Sequence, residues 1–176
     1  LSDQEIIDLA GLNTYPNFYT TSSSSIKKKL KSNTLIKDVK IKKRLFNKIY
    51  IYVDEYEVLF YNQNTSKYVL ENKKEVLLDG IVVPTLINYV PDTKYNTFIN
   101  KYILLDDKVK QKISEIKYDP NTIDEDRFFL YMNDGNYVYI TLTKMELLNK
   151  YNEAITKVEG KKGTLYLDSG NYFEIR

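Results

Sequence analysis

Apolar residues recur along this chain at two spacings, and each spacing predicts one kind of element. Near the start, Ile6, Ile7, Leu9 and Ala10 lie between Ser2-Asp3-Gln4-Glu5 and Gly11. Serine followed three residues later by glutamate has the form of a capping box, and glycine supplies a C-terminal stop, so a short helix is expected. Tyr15-Pro16-Asn17 marks a loop. Ser22-Ser23-Ser24-Ser25 alone reads equally as a linker, but Ile26 and Leu30, four apart behind it, predict that it starts a second helix. The spacing then drops to two. Val39 and Ile41 alternate with Lys40 and Lys42, and Ile49, Ile51 and Val53 alternate with Tyr50 and Tyr52. Two strands are expected there. A pair of antiparallel strands is marginal alone, so a further strand is expected before Leu1.

From residue 57 onward strands dominate. They are expected at 57–61, 68–71, 75–78 and 81–83, with Asn72-Lys73-Lys74 as a turn. Phe98, Ile99, Tyr102 and Ile103 predict a helix over 95–104. Asp107 is expected to cap another that carries Val109, Ile113 and Ile116. Residues 128–132 and 137–142 flank Asn133-Asp134-Gly135-Asn136, the pattern of a hairpin. Thr143-Lys144-Met145-Glu146 has the capping-box form again. It opens an expected helix with Leu147, Leu148, Tyr151 and Ile155 on one face. Strands at 164–167 and 172–175, joined through Ser169-Gly170-Asn171, complete an α+β chain.

Composition narrows the chemistry. The 176 residues contain no cysteine and no histidine. Disulfides, thiol nucleophiles and every histidine-assisted triad are therefore excluded. Phosphate-cradling glycine motifs are absent. The acidic groups Asp54-Glu55-Tyr56-Glu57, Asp106-Asp107 and Asp124-Glu125-Asp126 read as surface loops and caps. The run starting at Asp119 lacks the calcium-loop pattern. No catalytic, cofactor-binding or metal-binding residue is assigned. No apolar run approaches the ~20 residues of a membrane helix. The chain begins at Leu1 rather than methionine, so a membrane or targeting segment is expected before it.

Net charge is +2, but the charge is unevenly placed. Between Ile26 and Lys48 stand ten cations and one anion, Asp38, so that stretch carries a strong positive excess and the remainder is acidic. The patch Lys27, Lys28, Lys29, Lys31, Lys40, Lys42, Lys43 and Arg44 would attract an anionic membrane or a cell-wall polymer. It is lysine-rich rather than arginine-rich, which disfavours specific phosphate reading, and no nucleic acid is expected. The seventeen tyrosines fall mostly at strand positions, where they suit pleated surfaces and protein interfaces. Near the chain end, Thr164, Leu165, Tyr166, Leu167, Tyr172, Phe173, Glu174 and Ile175 form a strand–turn–strand unit. A sheet edge there can accept a partner's strand.

The order and spacing of several segments resemble the extracytoplasmic part of the DivIB/FtsQ family of bacterial cell-division proteins. Leu1-Ser2-Asp3-Gln4-Glu5-Ile6-Ile7 and the stretch from Val39 through Arg44 to Glu55 resemble its POTRA domain, with Phe46 where proline is common. Tyr68-Val69-Leu70-Glu71, Pro84-Thr85-Leu86, Asn133-Asp134-Gly135 and Lys162-Gly163-Thr164-Leu165-Tyr166-Leu167-Asp168 follow in the order of its β domain, and the ending is similar to the Gram-positive DivIB type. The resemblance implies a POTRA domain over 1–56, its first strand missing, then a mixed β domain over 57–176 with flanking helices and an exposed C-terminal edge strand. It implies a non-enzymatic divisome scaffold at the septum, anchored in the cell membrane by a helix absent from this chain. The implied partners are FtsL-like and DivIC/FtsB-like proteins, bound at 164–167 and 172–175, with a role in controlling septal peptidoglycan synthesis. The basic patch would then lie close to the membrane. The alternative is a POTRA-containing interaction module of another envelope or export pathway.

Overall fold

Helix α1 (Asp3–Ala10) forms where its two ends are chemically closed. Glu5 N–H donates to Ser2 Oγ at 3.3 Å, and Ser2 N–H donates to Glu5 Oε2 at 2.7 Å. The Ser2 backbone donor holds the Glu5 carboxyl below its usual pKa. At the other end Gly11 takes a left-handed conformation, φ 71°. There its N–H reaches Asp8 O, and Leu12 N–H reaches Ile7 O. Helix α2 (Ser23–Lys31) starts on Ser22, whose hydroxyl accepts from Ser25 N–H.

A computed structural model describes all residues except Tyr15, Thr20 and Phe46, in two compact units, Leu1–Glu57 and Val58–Arg176. The expectations resting on Tyr15 in the loop signal and on Phe46 in the place of proline lie outside the described residues.

In the first unit, β1 (Ile36–Arg44) and β2 (Lys48–Glu55) pair antiparallel, with Val39 opposite Val53 and Ile41 opposite Ile51. Strand alternation sends these residues to one face. There they meet Ala10, Ile26 and Leu30 from the helices. The two serine caps and the period-two strands thus serve a single small core.

The second unit is built on a nine-stranded mixed sheet. Its strands are β3 (Val58–Asn62), β4 (Lys67–Leu70), β5 (Glu75–Val76), β6 (Thr85–Leu86), β7 (Ile113–Tyr118), β8 (Arg127–Met132), β9 (Tyr137–Thr141), β10 (Gly163–Tyr166) and β11 (Tyr172–Ile175). Their spatial order is β11-β10-β9-β8-β7-β6-β3-β4-β5. Pairings β9–β10, β6–β7 and β3–β6 are parallel, and the rest are antiparallel. The parallel joins require crossovers. Helix α3 (Asp92–Ile103) and the four-residue α4 (Asp107–Lys110) join β6 to β7. A 3₁₀ segment, Leu142–Lys150, and α5 (Tyr151–Thr156) join β9 to β10. These crossovers contribute Phe98, Tyr102, Met145, Leu148 and Tyr151 to a core against Phe128, Leu130, Val138, Ile140 and Leu165 of the sheet. Phe98 stacks on Phe128 at 4.8 Å.

Four local expectations are corrected. The helix expected beyond Val109 stops at Lys110, and Ile113 and Ile116 lie in β7. Thr143 does not cap a helix: the 3₁₀ segment begins before it, and its hydroxyl pairs with that of Thr141 at 3.1 Å. Residues 81–83 form no strand, and Val82 is 98% exposed. The strand expected at 75–78 is only Glu75–Val76.

Candidate functional site

The hairpin β8–β9 divides its residues between two faces. Phe128, Leu130, Met132, Val138 and Ile140 enter the core. Alternation then places Arg127, Phe129, Tyr131, Tyr137 and Tyr139 on the opposite face. The register sets Phe129 across from Tyr139 and Tyr131 across from Tyr137. Beyond β9 the parallel partner β10 sets Tyr166 beside Tyr139, and β11 sets Tyr172 beside Tyr166. The result is a row of aromatic rings across four strands. Centroids lie 4.5 Å apart for Phe129–Tyr139, 5.4 Å for Tyr139–Tyr166 and 4.7 Å for Tyr166–Tyr172. Such spacings are those of favourable aromatic pairs. Two guanidiniums cover the row. Arg127 lies 3.9 Å over Tyr139, and Arg176 lies 4.2 Å over Tyr137. Arg127 is fixed further by Asp119 at 3.1 Å and by Asp168 at 3.7 Å.

The row ends at an open sheet edge. Among the described residues, strand β11 has β10 on one side and no strand on the other. Arg176 N–H donates to Lys162 O at 2.9 Å. Antiparallel bonding alternates along a strand. The N–H groups of Tyr172 and Glu174 therefore also face β10, and those of Phe173 and Ile175 face outward. Of the usual guards β11 has its shortness and the charge of Glu174, and it contains no lysine, proline or bulge. Its side chains are accessible: Tyr172 is 50% and Ile175 52% exposed.

Two features hold this edge in register. Gly163 of β10 lies opposite Ile175. A methyl group on Gly163 would collide with the backbone carbonyl oxygen of Glu174 and come within 2.8 Å of the Phe173 ring. The other feature is Asn136, fully buried in the β8–β9 turn. Its Oδ1 accepts from Gly163 N–H at 3.0 Å, and its Nδ2 donates to Asp134 Oδ1 at 3.0 Å. Tyr151 Oη donates to the same carboxylate at 2.9 Å. Burial above all raises the Tyr151 phenol, which keeps it a donor. Arg176 closes the turn from outside by donating to Gly135 O at 2.7 Å.

The eight residues expected at the edge divide by role. Thr164, Leu165 and Leu167 are buried, and β10 is an inner strand with both neighbours in place. Tyr166 belongs to the aromatic row and donates to Glu174 Oε2 at 3.0 Å, a bond that raises its pKa. Phe173 packs against the core, while Tyr172, Glu174 and Ile175 remain exposed. Phe129, Tyr131, Tyr137, Tyr139 and the two arginines were not singled out from the sequence. The available signal was the pair of motifs Phe-x-Tyr and Tyr-x-Tyr, each out of phase with the core residues of its strand.

The basic patch also splits. Lys27 and Lys31 of α2 converge on Asp38 at 3.4 and 2.8 Å, and this holds the Asp38 carboxyl well below its usual range, the Lys31 bond contributing most. Lys28 and Lys29 are exposed on the same helix. Lys43 Nζ donates to Phe18 O at 2.8 Å and lies 4.8 Å over the Phe18 ring. Lys40, Lys42 and Arg44 project from the solvent face of β1. Because Asp38 is depressed, its contribution to stability is present above the unfolded aspartate pKa of about 3.9 and is lost as pH falls through and below that range. Asp38→Asn is therefore expected to lower the thermal unfolding midpoint of the first unit at neutral pH, with the difference from the parent narrowing as pH falls below that range.

The acidic groups have structural duties. Asp126 pairs with Lys94 at 2.5 Å, and Asp119 holds both Lys117 and Arg127. Among the described residues, no group of three or more acidic side chains is placed to hold a metal ion. No described helix is long and apolar enough to cross a membrane.

Comparison with known proteins places this architecture in a class. Residues 1–56 match the POTRA domain, FtsQ-type. Across nearly the whole length, the chain is 35% identical to the cell division protein DivIB of Bacillus subtilis strain 168, covering 99% of this chain and 69% of that protein. It is 28% identical to DivIB of Bacillus cytotoxicus, covering 99% and 71% respectively. The solved major extracytoplasmic domain of DivIB from Geobacillus stearothermophilus covers 60% of this chain and 96% of its own, at 24% identity and a TM-score of 0.49. The chain belongs to the DivIB family of bacterial cell-division proteins.

Proposed function

We propose that this chain is a non-enzymatic scaffold of the division machinery, acting by strand addition. A POTRA domain, 1–56, and a β domain, 57–176, divide the work. The β domain receives an extended segment of an FtsL-like or DivIC/FtsB-like protein along β11. In the intact protein this occurs on the outer side of the cell membrane at the septum, and it helps control septal peptidoglycan synthesis. The observation that carries the reading is the outward pair of N–H groups at Phe173 and Ile175, on an open edge that continues an aromatic row. Backbone bonds along such an edge give affinity, and neighbouring side chains give specificity. Tyr166, Tyr172 and Glu174 supply the specificity, while Thr164, Leu165 and Leu167 position β11 from beneath.

The test is binding of the chain to the extracellular segments of FtsL and DivIC from the same organism. Ile175→Pro removes one outward donor and none of the donors that face β10. Proline is tolerated on an edge strand. Loss of one such bond, with the steric obstruction the ring adds, is expected to weaken binding about tenfold or more, with the circular dichroism spectrum unchanged. Equal binding by a folded Ile175→Pro chain would move the interface away from β11.

A further inference from the structure

The solvent face of the β1–β2 hairpin changes character along its length. At one end Asp38 stands opposite Asp54. Then come Lys40 opposite Tyr52, Lys42 opposite Tyr50 and, at the tip, Arg44 opposite Lys48. Like charges directly across an antiparallel pair destabilise it. The Arg44–Lys48 pair therefore works against the hairpin that carries it. Beyond that pair Leu45 is 83% exposed, so folding alone accounts for neither feature.

Two shallow hollows flank Leu45. One, of about 490 Å³, is lined by Lys42, Arg44, Leu45, Lys48, Tyr50 and Tyr52. The other, of about 420 Å³, brings in Phe18, Tyr19 and Lys43. Among the described residues, no carboxylate lines either one. Tyr19 is 84% exposed, and Lys42 Nζ lies 5.5 Å over the Tyr52 ring. Among the described residues, no carboxylate pairs with Lys42, Arg44 or Lys48, whereas Lys27 and Lys31 are engaged by Asp38.

An apolar finger ringed by unpaired cations and half-exposed tyrosines matches the layers of an anionic bilayer surface. Cations are drawn to the phosphate plane, tyrosine rings lie at the headgroup level, and an aliphatic side chain passes just beneath. A soluble polyanion would engage the same cations but gain nothing from Leu45. We propose that the β1–β2 hairpin tip seats on an anionic phospholipid bilayer. Leu45 and Tyr19 enter the headgroup boundary, and Lys42, Arg44 and Lys48 hold lipid phosphates. This surface involves no residue of β11 and stands independently of the strand-addition reading.

The chain has no tryptophan, so Leu45→Trp makes a single indole reporter at the tip. With vesicles of equimolar phosphatidylglycerol and phosphatidylcholine, its emission is expected to shift to the blue and to be quenched by brominated acyl chains. Pure phosphatidylcholine vesicles should leave it unchanged. Val82→Trp, at a position 98% exposed in the other unit, should show no shift on either. Adding Lys42→Gln and Lys48→Gln to the reporter is expected to lower vesicle affinity about twenty-five-fold, each lost cation being worth about fivefold near such a surface. Leu45→Asp, followed by vesicle flotation, should lower it about tenfold. A folded Leu45→Trp chain whose emission ignores anionic vesicles overturns the proposal, as does an equal shift at Val82→Trp. Tight binding of long-chain polyphosphate, untouched by Leu45→Asp and without vesicle binding, would replace the bilayer by a soluble polyanion.

Discussion

Gly163→Ala is expected to displace β11 from the sheet. The glycine lies on β10 beneath Ile175, and the added methyl has nowhere to go. On one side is the Glu174 carbonyl oxygen, part of the backbone, and on the other the Phe173 ring. A flexible side-chain tip could swing aside, but a strand carbonyl moves only with its strand. Forced overpacking of this kind costs about 1–3 kcal/mol. The consequence is larger for recognition than for stability. The outward N–H groups of Phe173 and Ile175 are useful only while β11 stays in register, and so is the stack of Tyr172 on Tyr166. Urea denaturation should show the modest loss in stability. Amide exchange should show β11 losing protection while β8 and β9 keep theirs. Partner binding should fall at least about a hundredfold, which corresponds to ~2.7 kcal/mol. Full binding by Gly163→Ala would mean that β11 is not the recognition edge.

Asn136→Ala is expected to cost more stability than any polar surface change in the β8–β9 turn. The side chain is fully buried and works in two directions. Its oxygen satisfies the buried Gly163 N–H, and its amide satisfies one oxygen of Asp134, which also receives Tyr151. Alanine leaves the Gly163 donor buried without an acceptor, at about 1–3 kcal/mol, and removes a charge-assisted bond besides. A total near ~3 kcal/mol follows from those two losses. Asn133→Ala is the control. That residue is exposed, bonds Gln111 O at 2.8 Å and should lose less than about 1 kcal/mol. Comparable losses for the two variants would show that the buried network does not fix the turn.

How much of this was legible in the sequence follows from how local each feature is. The capping box of α1, the helical spacing behind α2 and the β8–β9 hairpin are set within a few residues, and all appear where the pattern predicts. Strand β7 was misread for a physical reason. Its pairing with β8 slips between Ile113 and Glu115, so Ile113 and Ile116 both point inward. Buried residues three apart imitate a helix. The open edge was legible because a turn precedes a short terminal strand. The aromatic row was not, since Tyr166 meets Tyr139 only through a parallel pairing made across the 3₁₀ segment and α5. The divided basic patch was equally hidden. Composition counts Lys31 and Lys42 alike, and only the packing of α2 beside Asp38 distinguishes them.

The central claim is that a partner strand completes the sheet at β11. It is tested most directly by amide hydrogen exchange, read residue by residue, with and without the bound FtsL and DivIC segments. Strand addition predicts strong new protection at Phe173 and Ile175, whose N–H groups face outward. Tyr172 and Glu174, already bonded toward β10, should change far less. Tight binding that leaves Phe173 and Ile175 exchanging as in the free chain would contradict the account.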